Sequence, residues 1–322
     1  MKSYRIEANY ILLSPLSHIG ESVGTESFLN TETIIGADGR PTQCFVYNGN
    51  AWRGMMRDAG AKYMLDVLGG LQLPLPAFHL LFSGGSLGGD QSIDIDQARQ
   101  MRATIPHISL FGGGVGNQIL GGKLKVGSCY PLCAEAQLIL PPQLKNDNAI
   151  SWRAMTMEQS FTRTDDEKNE NLRTMLLQSE RQVDLLTGEI GEKKKKDGPS
   201  TQMRYTVEAL ATGTELYQRI DVTDVTDIEF GALVAAIHEW SKHPYMGGMI
   251  RLGYGLVAVD YQIVERDGTM RDFINVGKDV LTLSDEAESA KQVYDDHLKI
   301  IYTEYLEGNR GELVAMLVAG QK

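Results

Sequence analysis

Residues Tyr245 to Val257 read YMGGMIRLGYGLV. Four glycines, two tyrosines and one arginine share these thirteen positions. Backbone so free of side chains serves one of two ends. It lies against phosphates, or it turns tightly against another stretch of backbone. The flanks decide the fold class. Upstream, DIEFGALVAAIHEWSK (227–242) has helical spacing, and downstream GLVAVDYQIV (255–264) alternates as a strand.

Further upstream, MRYTVEALATGTELYQRIDV (203–222) predicts two strands around Thr212-Gly213. YRIEANYILL (4–13) predicts a strand and SPLSHIGESVG (14–24) a breaker-rich loop. TETIIGADGRPTQCFVY (31–47) predicts two strands joined at Asp38-Gly39. YNGNAWRGMMRDAGAKYMLDVLGG (47–70) predicts a helix with Asn50 as N-cap and Gly69 as C-cap. Trp52, Met55, Met56, Ala59, Tyr63 and Val67 fall at helical spacing there, and Arg53 and Arg57 lie one turn apart.

Residues 70–125 are glycine-rich and expected to be irregular, whereas KLKV (123–126) and AEAQLIL (134–140) look like strands. Residues 151–204 are polar, with ten Lys or Arg against ten Asp or Glu, and only Lys193 to Lys196 form a basic run. They read as an insertion reaching away from the core. From Leu283 on, helices are expected. The order fits an α+β protein with a modified RRM or ferredoxin-like core. Its expected parts are a discontinuous core (1–150 and 205–282), the insertion (151–204) and a helical C-terminal segment (283–322).

With 42% hydrophobic and 23% charged residues, the 322-residue chain is globular rather than disordered. No apolar run reaches the roughly 18 residues of a membrane span, and the N-terminus reads as a strand rather than a signal peptide. Cys44, Cys129 and Cys133 lack zinc-site spacing and read as small core hydrophobes of a cytoplasmic protein. No cofactor or metal is expected. The net charge of −11 argues against a general nucleic-acid binder, though a local basic groove remains compatible with it.

The nucleotide motifs fail in detail. GNQILGGKLK (116–125) resembles a P-loop, but Asn117 stands at its first glycine and Leu124 replaces the Mg²⁺-binding hydroxyl residue. His238 and His243 are five apart, which turns them about 140° from each other on a helix instead of onto one face.

Three segments taken together carry a resemblance: PLSHIGESVG, YNGNAWRGMMRDAG and YMGGMIRLGYGLV. They resemble, in order, the small H-I-G loop, the helix-opening loop and the late glycine loop of the repeat-associated (RAMP) superfamily of CRISPR proteins. LFGG (110–113) followed by GGKLKVG looks like a further shared segment. The polar insertion is similar to the thumb of the backbone subunit, and MRYTVEALATGTEL looks most like the type IV one.

The resemblance implies a non-catalytic subunit that binds guide RNA without reading its sequence. It would polymerise head-to-tail as a helical filament with other effector subunits and present the guide to target DNA or RNA, with no membrane involved. It places RNA contacts at His18, Gly20 and Ser22, at Asn50, Trp52, Arg53 and Arg57, and at Gly112, Gly113 and Gly114. The late loop adds Met246, Gly247, Gly248, Arg251 and Tyr254. Thumb contacts fall on Arg163, Lys193, Lys194, Lys195 and Lys196. The alternative is an endoribonuclease like the type III backbone subunit, which uses a loop aspartate after the H-I-G segment. Here that loop has Glu21, Glu26 and Glu32 but no aspartate before Asp38. Each residue also has a plainer reading. Arg53 and Arg57 suit a solvated helix face, Trp52 suits the core, and Gly112 to Gly114 suit a turn.

Overall fold

The computed structural model describes residues 1–85, 95–116, 118–163, 175, 203–307 and 310–318. Its central layer is built from β1 (Lys2–Leu12), β8 (Leu124–Pro131), β11 (Glu215–Val225) and β12 (Val257–Val264), in the order β12-β1-β11-β8. Every neighbouring pair is antiparallel. Helix α1 (Gly49–Val67) connects β1 to β8, and α5 (Asp227–Trp240) connects β11 to β12. That is the ferredoxin-like βαββαβ arrangement expected from the sequence. Strands β13 (Met270–Val276) and β14 (Leu281–Leu283), which the pattern did not reveal, extend the sheet beyond β12.

Alternation on β1 turns Ile6, Ala8, Tyr10 and Leu12 into the core, where all four are buried. Buried tyrosines need partners for their hydroxyls. Tyr10 donates to Gln218 Oε1 at 2.9 Å and meets Tyr261 edge-on with ring centroids 6.1 Å apart. Tyr4 stacks on Phe230 of α5 at 3.9 Å, tying helix to sheet. A capping box starts α5: Glu229 N–H donates to Thr226 Oγ1 and Thr226 N–H to Glu229 Oε2. The Glu229 carboxylate also accepts from Lys123 and Ser109. Burial would raise its pKa, but these donors outweigh burial and hold it below the ordinary carboxylate value.

A second sheet runs β2-β3-β10-β9, from β2 (Ile19–Val23), β3 (Glu26–Leu29), β10 (Met203–Leu210) and β9 (Thr156–Arg163). β4 (Thr31–Ile35) and β5 (Pro41–Phe45) form the hairpin expected around Asp38-Gly39, with Gly39 at φ 76°.

Several local expectations are corrected. Residues 19–23, read as loop, are strand β2; all five are exposed, so no apolar alternation signals them. The described residues between 70 and 125 include three helices, α2 (Leu75–Ser83), α3 (Ile95–Thr104) and α4 (Pro106–Phe111). AEAQLIL is not a strand: Ile139 and Leu140 both donate to the Ala136 carbonyl. Its buried positions, Ala136 and Leu140, together with Cys133 just before it, follow a turn-like spacing. The N-cap of α1 is Asn48, two residues before Asn50. The chain leaves the sheet there, because Tyr47 exchanges backbone bonds with Cys129.

Of the expected insertion, β9 and the first residues of β10 are described and pair in register from Thr156↔Leu210 to Arg163↔Met203. The C-terminal part contributes α6 (Asp285–Ile301) and α7 (Arg310–Val318). All three cysteines are free and buried, with the Cys44 and Cys133 sulfurs 3.7 Å apart. No helix among the described residues is long and apolar enough to cross a membrane.

Candidate nucleic-acid interface

The three segments that are far apart in sequence meet beside the first turn of α1. The loop after β1 meets the late glycine loop through Gly248 N–H donating to the Ser17 carbonyl at 2.7 Å. Gly255 N–H donates to the Pro15 carbonyl at 2.7 Å, and Met246 N–H donates to the Gly255 carbonyl at 2.8 Å. The loop after β1 meets the helix-opening loop through Asn48 N–H donating to His18 Nε2 at 3.4 Å. Tyr47 lies between them: its ring is 4.7 Å from that of His18, and burial raises its hydroxyl pKa, with the Gly247 backbone opposing that rise.

Two glycines are required here by the close approach. A Cβ on Gly247 would overlap the Ser17 carbonyl, and one on Gly255 would overlap Met246; both glycines have left-handed φ, 75° and 83°. Met249 also sits left-handed at φ 59°, and the 3₁₀ turn Ile250–Leu252 follows it with Arg251 exposed at its centre.

The start of α1 exposes Asn48 and Asn50, while Gly49 between them is buried against the Val126 and Gly127 carbonyls. Its N-cap Asn48 makes no side-chain cap bond, and its first turn holds no acidic residue. The leading amides of any helix have no partner within it, and the helix dipole adds positive potential. Asn50 is exposed there, and Arg53 follows one turn in with its Nε enclosed and unpartnered among the described residues. His18 is half-buried. Burial lowers its pKa, so at neutral pH the ring is uncharged and Nε2 is free to accept from Asn48.

Other expected contacts fall elsewhere. Trp52 is wholly buried and Met246 likewise, so neither presents a face to a base; they support the loops from beneath. Tyr254 is 4% exposed and donates to Gln159 on β9, which takes its ring away from solvent. Arg57 Nη2 donates to the carbonyls of Phe111 and Gly112 at 2.9 and 3.3 Å, closing the end of α4. Burial, then the neighbouring Arg53, lower its pKa. Gly112 and Gly114 are buried against backbone, and Gly113 is half-buried. Gly113 and Gly114 begin β6 (Gly113–Val115), which pairs with β7 (Gln118–Leu120), so the three lie in packed backbone instead of an open loop.

Gly20 and Ser22 lie on exposed β2, where Ser22 Oγ meets Ser27 Oγ at 3.1 Å. Arg163 ends β9 opposite Met203, and Lys193, Lys194, Lys195 and Lys196 lie outside the described residues. Sequence reasoning missed Ser17 and Tyr47. An aromatic residue closing a strand just before the helix-opening loop was the available signal for Tyr47.

The fold and this loop cluster define a class: a ferredoxin-like α+β protein whose loops converge on an uncapped helix N-terminus. No protein-family model and no curated protein matches the chain. Among solved structures, a chain of a Type IV-B CRISPR complex shares the fold, with a TM-score of 0.55 at 19% identity. The match covers 80% of this chain and 90% of that one.

Proposed function

We propose that this protein is a subunit of a type IV-like CRISPR effector ribonucleoprotein. It holds guide RNA through the sugar-phosphate backbone, repeats along that RNA head-to-tail, and catalyses no reaction itself. One observation carries the reading: the three loops that resemble guide-binding segments meet at the N-terminus of α1, which no side chain caps, with Arg53 one turn in and Arg251 exposed on the late loop. Backbone amides and guanidinium groups hold phosphates without reading bases. The shared fold with a chain of a Type IV-B CRISPR complex supports it. The net charge of −11 is compatible, because a groove repeated along a filament needs only local positive potential. Head-to-tail repetition calls for a heterologous interface that does not close. Other effector subunits, target DNA or RNA and a cytoplasmic location follow from the same reading.

Expression with a matching guide tests it. The purified material is expected to absorb as a nucleoprotein and to release RNA of defined length. An RNA-free monomer under those conditions overturns the reading.

A further inference from the structure

Tyr254 occupies the middle of Gly253-Tyr254-Gly255, next to the exposed Arg251 turn, yet it faces away from solvent. Its hydroxyl donates to Gln159 Oε1 in the middle of β9, and its ring lies 6.3 Å from that of Phe161 at 56°. Both partners belong to the strand leading out to residues 164–202. The backbone is held on the Gly255 side of Tyr254 and open on the Gly253 side. Gly255 is locked against Met246 by close packing, and its amide is held by Pro15. The β9–β10 hairpin is also tied to the site by backbone, through reciprocal Leu16 and Leu210 bonds of 3.0 and 2.9 Å. That tie sits at the foot of the hairpin, since Leu210 pairs with Thr156. The Tyr254 contact reaches three residues further along β9, to Gln159, level with the Val207 of β10 that pairs with Ser27 of β3, and it braces the β9 side there.

We propose that Tyr254 is a positioning residue: it couples the Arg251 turn to the β9–β10 hairpin, so that nucleic acid held at the turn steadies the β9 side of the hairpin. This rests on the functional reading above and deepens it. Tyr254 acts through Gln159 without touching the RNA. The coupling is a difference in hairpin stability between free and RNA-bound protein.

Hydrogen exchange of the amides of residues 157–161, with and without a single-stranded RNA of ~30 nucleotides, tests the coupling. In the unmodified protein RNA should slow this exchange by about 10-fold or more. Tyr254→Phe keeps the ring and loses only the hydroxyl. It should bind RNA within about 2-fold of the original affinity, with the RNA-dependent slowing reduced to less than about 2-fold. Gln159→Leu, which removes the acceptor from the other side, should do the same. A role confined to stability would speed exchange equally in both states, and that result overturns the proposal. So does full slowing in either variant. If the unmodified protein binds no RNA, the functional reading falls and takes this inference with it. If it binds RNA but β9 exchange does not respond, only the coupling falls.

Discussion

The Gly248 amide donates to the Ser17 carbonyl at 2.7 Å, which pins the late glycine loop onto the loop after the first strand. The contact exists because Gly247 has no Cβ to collide with that same carbonyl. The glycines therefore work as packing residues. They shape the platform from which Arg251 projects.

Gly253 and Gly255 separate conformational strain from collision. Both are left-handed, at φ 81° and 83°, but a Cβ on Gly253 meets nothing within 4 Å whereas one on Gly255 overlaps Met246. Gly253→Ala should cost about 1 kcal/mol, the ordinary price of left-handed backbone. Gly255→Ala should cost roughly 3 kcal/mol or more, because backbone must move. Urea unfolding midpoints measure both, and equal costs would contradict the packing described for Gly255.

Arg251 is the exposed cation of the late loop. Arg251→Glu should weaken RNA retention and lower the slope of log affinity against log salt by about 0.7, the share of one single-strand phosphate contact. The fold should be unaffected. An unchanged slope removes Arg251 from the interface.

Arg57 and Trp52 should behave as stability residues. Arg57→Met leaves the Phe111 and Gly112 carbonyls without their donor, at a cost of roughly 1–3 kcal/mol. Trp52→Ala removes a side chain with no exposed surface and should cost about 3–5 kcal/mol. RNA affinity of the folded fraction should stay near normal for Arg57→Met. Weakened binding at unchanged stability would restore Arg57 as an RNA contact.

His107 makes stability depend on pH. It is buried, its Nε2 bonds with the Leu81 carbonyl, and burial pushes its pKa from 6.5 down to about 4. The unfolded chain therefore takes up the proton first as pH falls. Stability is fully present above pH 6.5 and is lost as pH falls through the window down to about 4. The loss is on the order of 3 kcal/mol. Burial lowers the pKa of His18 and His238 too, so both act in the same direction. His107→Gln keeps a donor for Leu81 and should flatten the curve between those pH values. An unchanged profile would show that His107 is protonated at little cost in the fold.

Part of this molecule is legible because local pattern and tertiary environment agree. Strands β1, β11 and β12 alternate, and each turn at Gly39 and Gly213 has the positive φ that its glycine advertised. The helices between residues 75 and 111 escaped notice because they are short and set among glycines, so no long apolar period develops. AEAQLIL misled for a related reason. Alternation over seven residues is weak when a local turn can bury the same side chains. At the site, the types and order of Asn50, Arg53 and Arg251 were readable. The inward turn of Trp52 was readable from its apolar neighbours at helical spacing, whereas that of Met246 and Tyr254 was not, since an aromatic or apolar residue beside a glycine loop suits either a base or a core.

By itself the sequence determined the α+β class, the succession of strands and helices that yields a ferredoxin-like sheet, and the three loop segments worth comparing. These depend on periodicity and turn chemistry, which act over a few residues. Only the tertiary structure decided that those segments touch, that Ser17 and Gly247 pack at their joint with Tyr47 beside His18, and that Arg57 closes a helix end while Arg251 is exposed. Such outcomes depend on which backbones approach closely enough to exclude a Cβ or satisfy a carbonyl. That approach is settled by the packing of the whole core, where residues from opposite ends of the chain become neighbours.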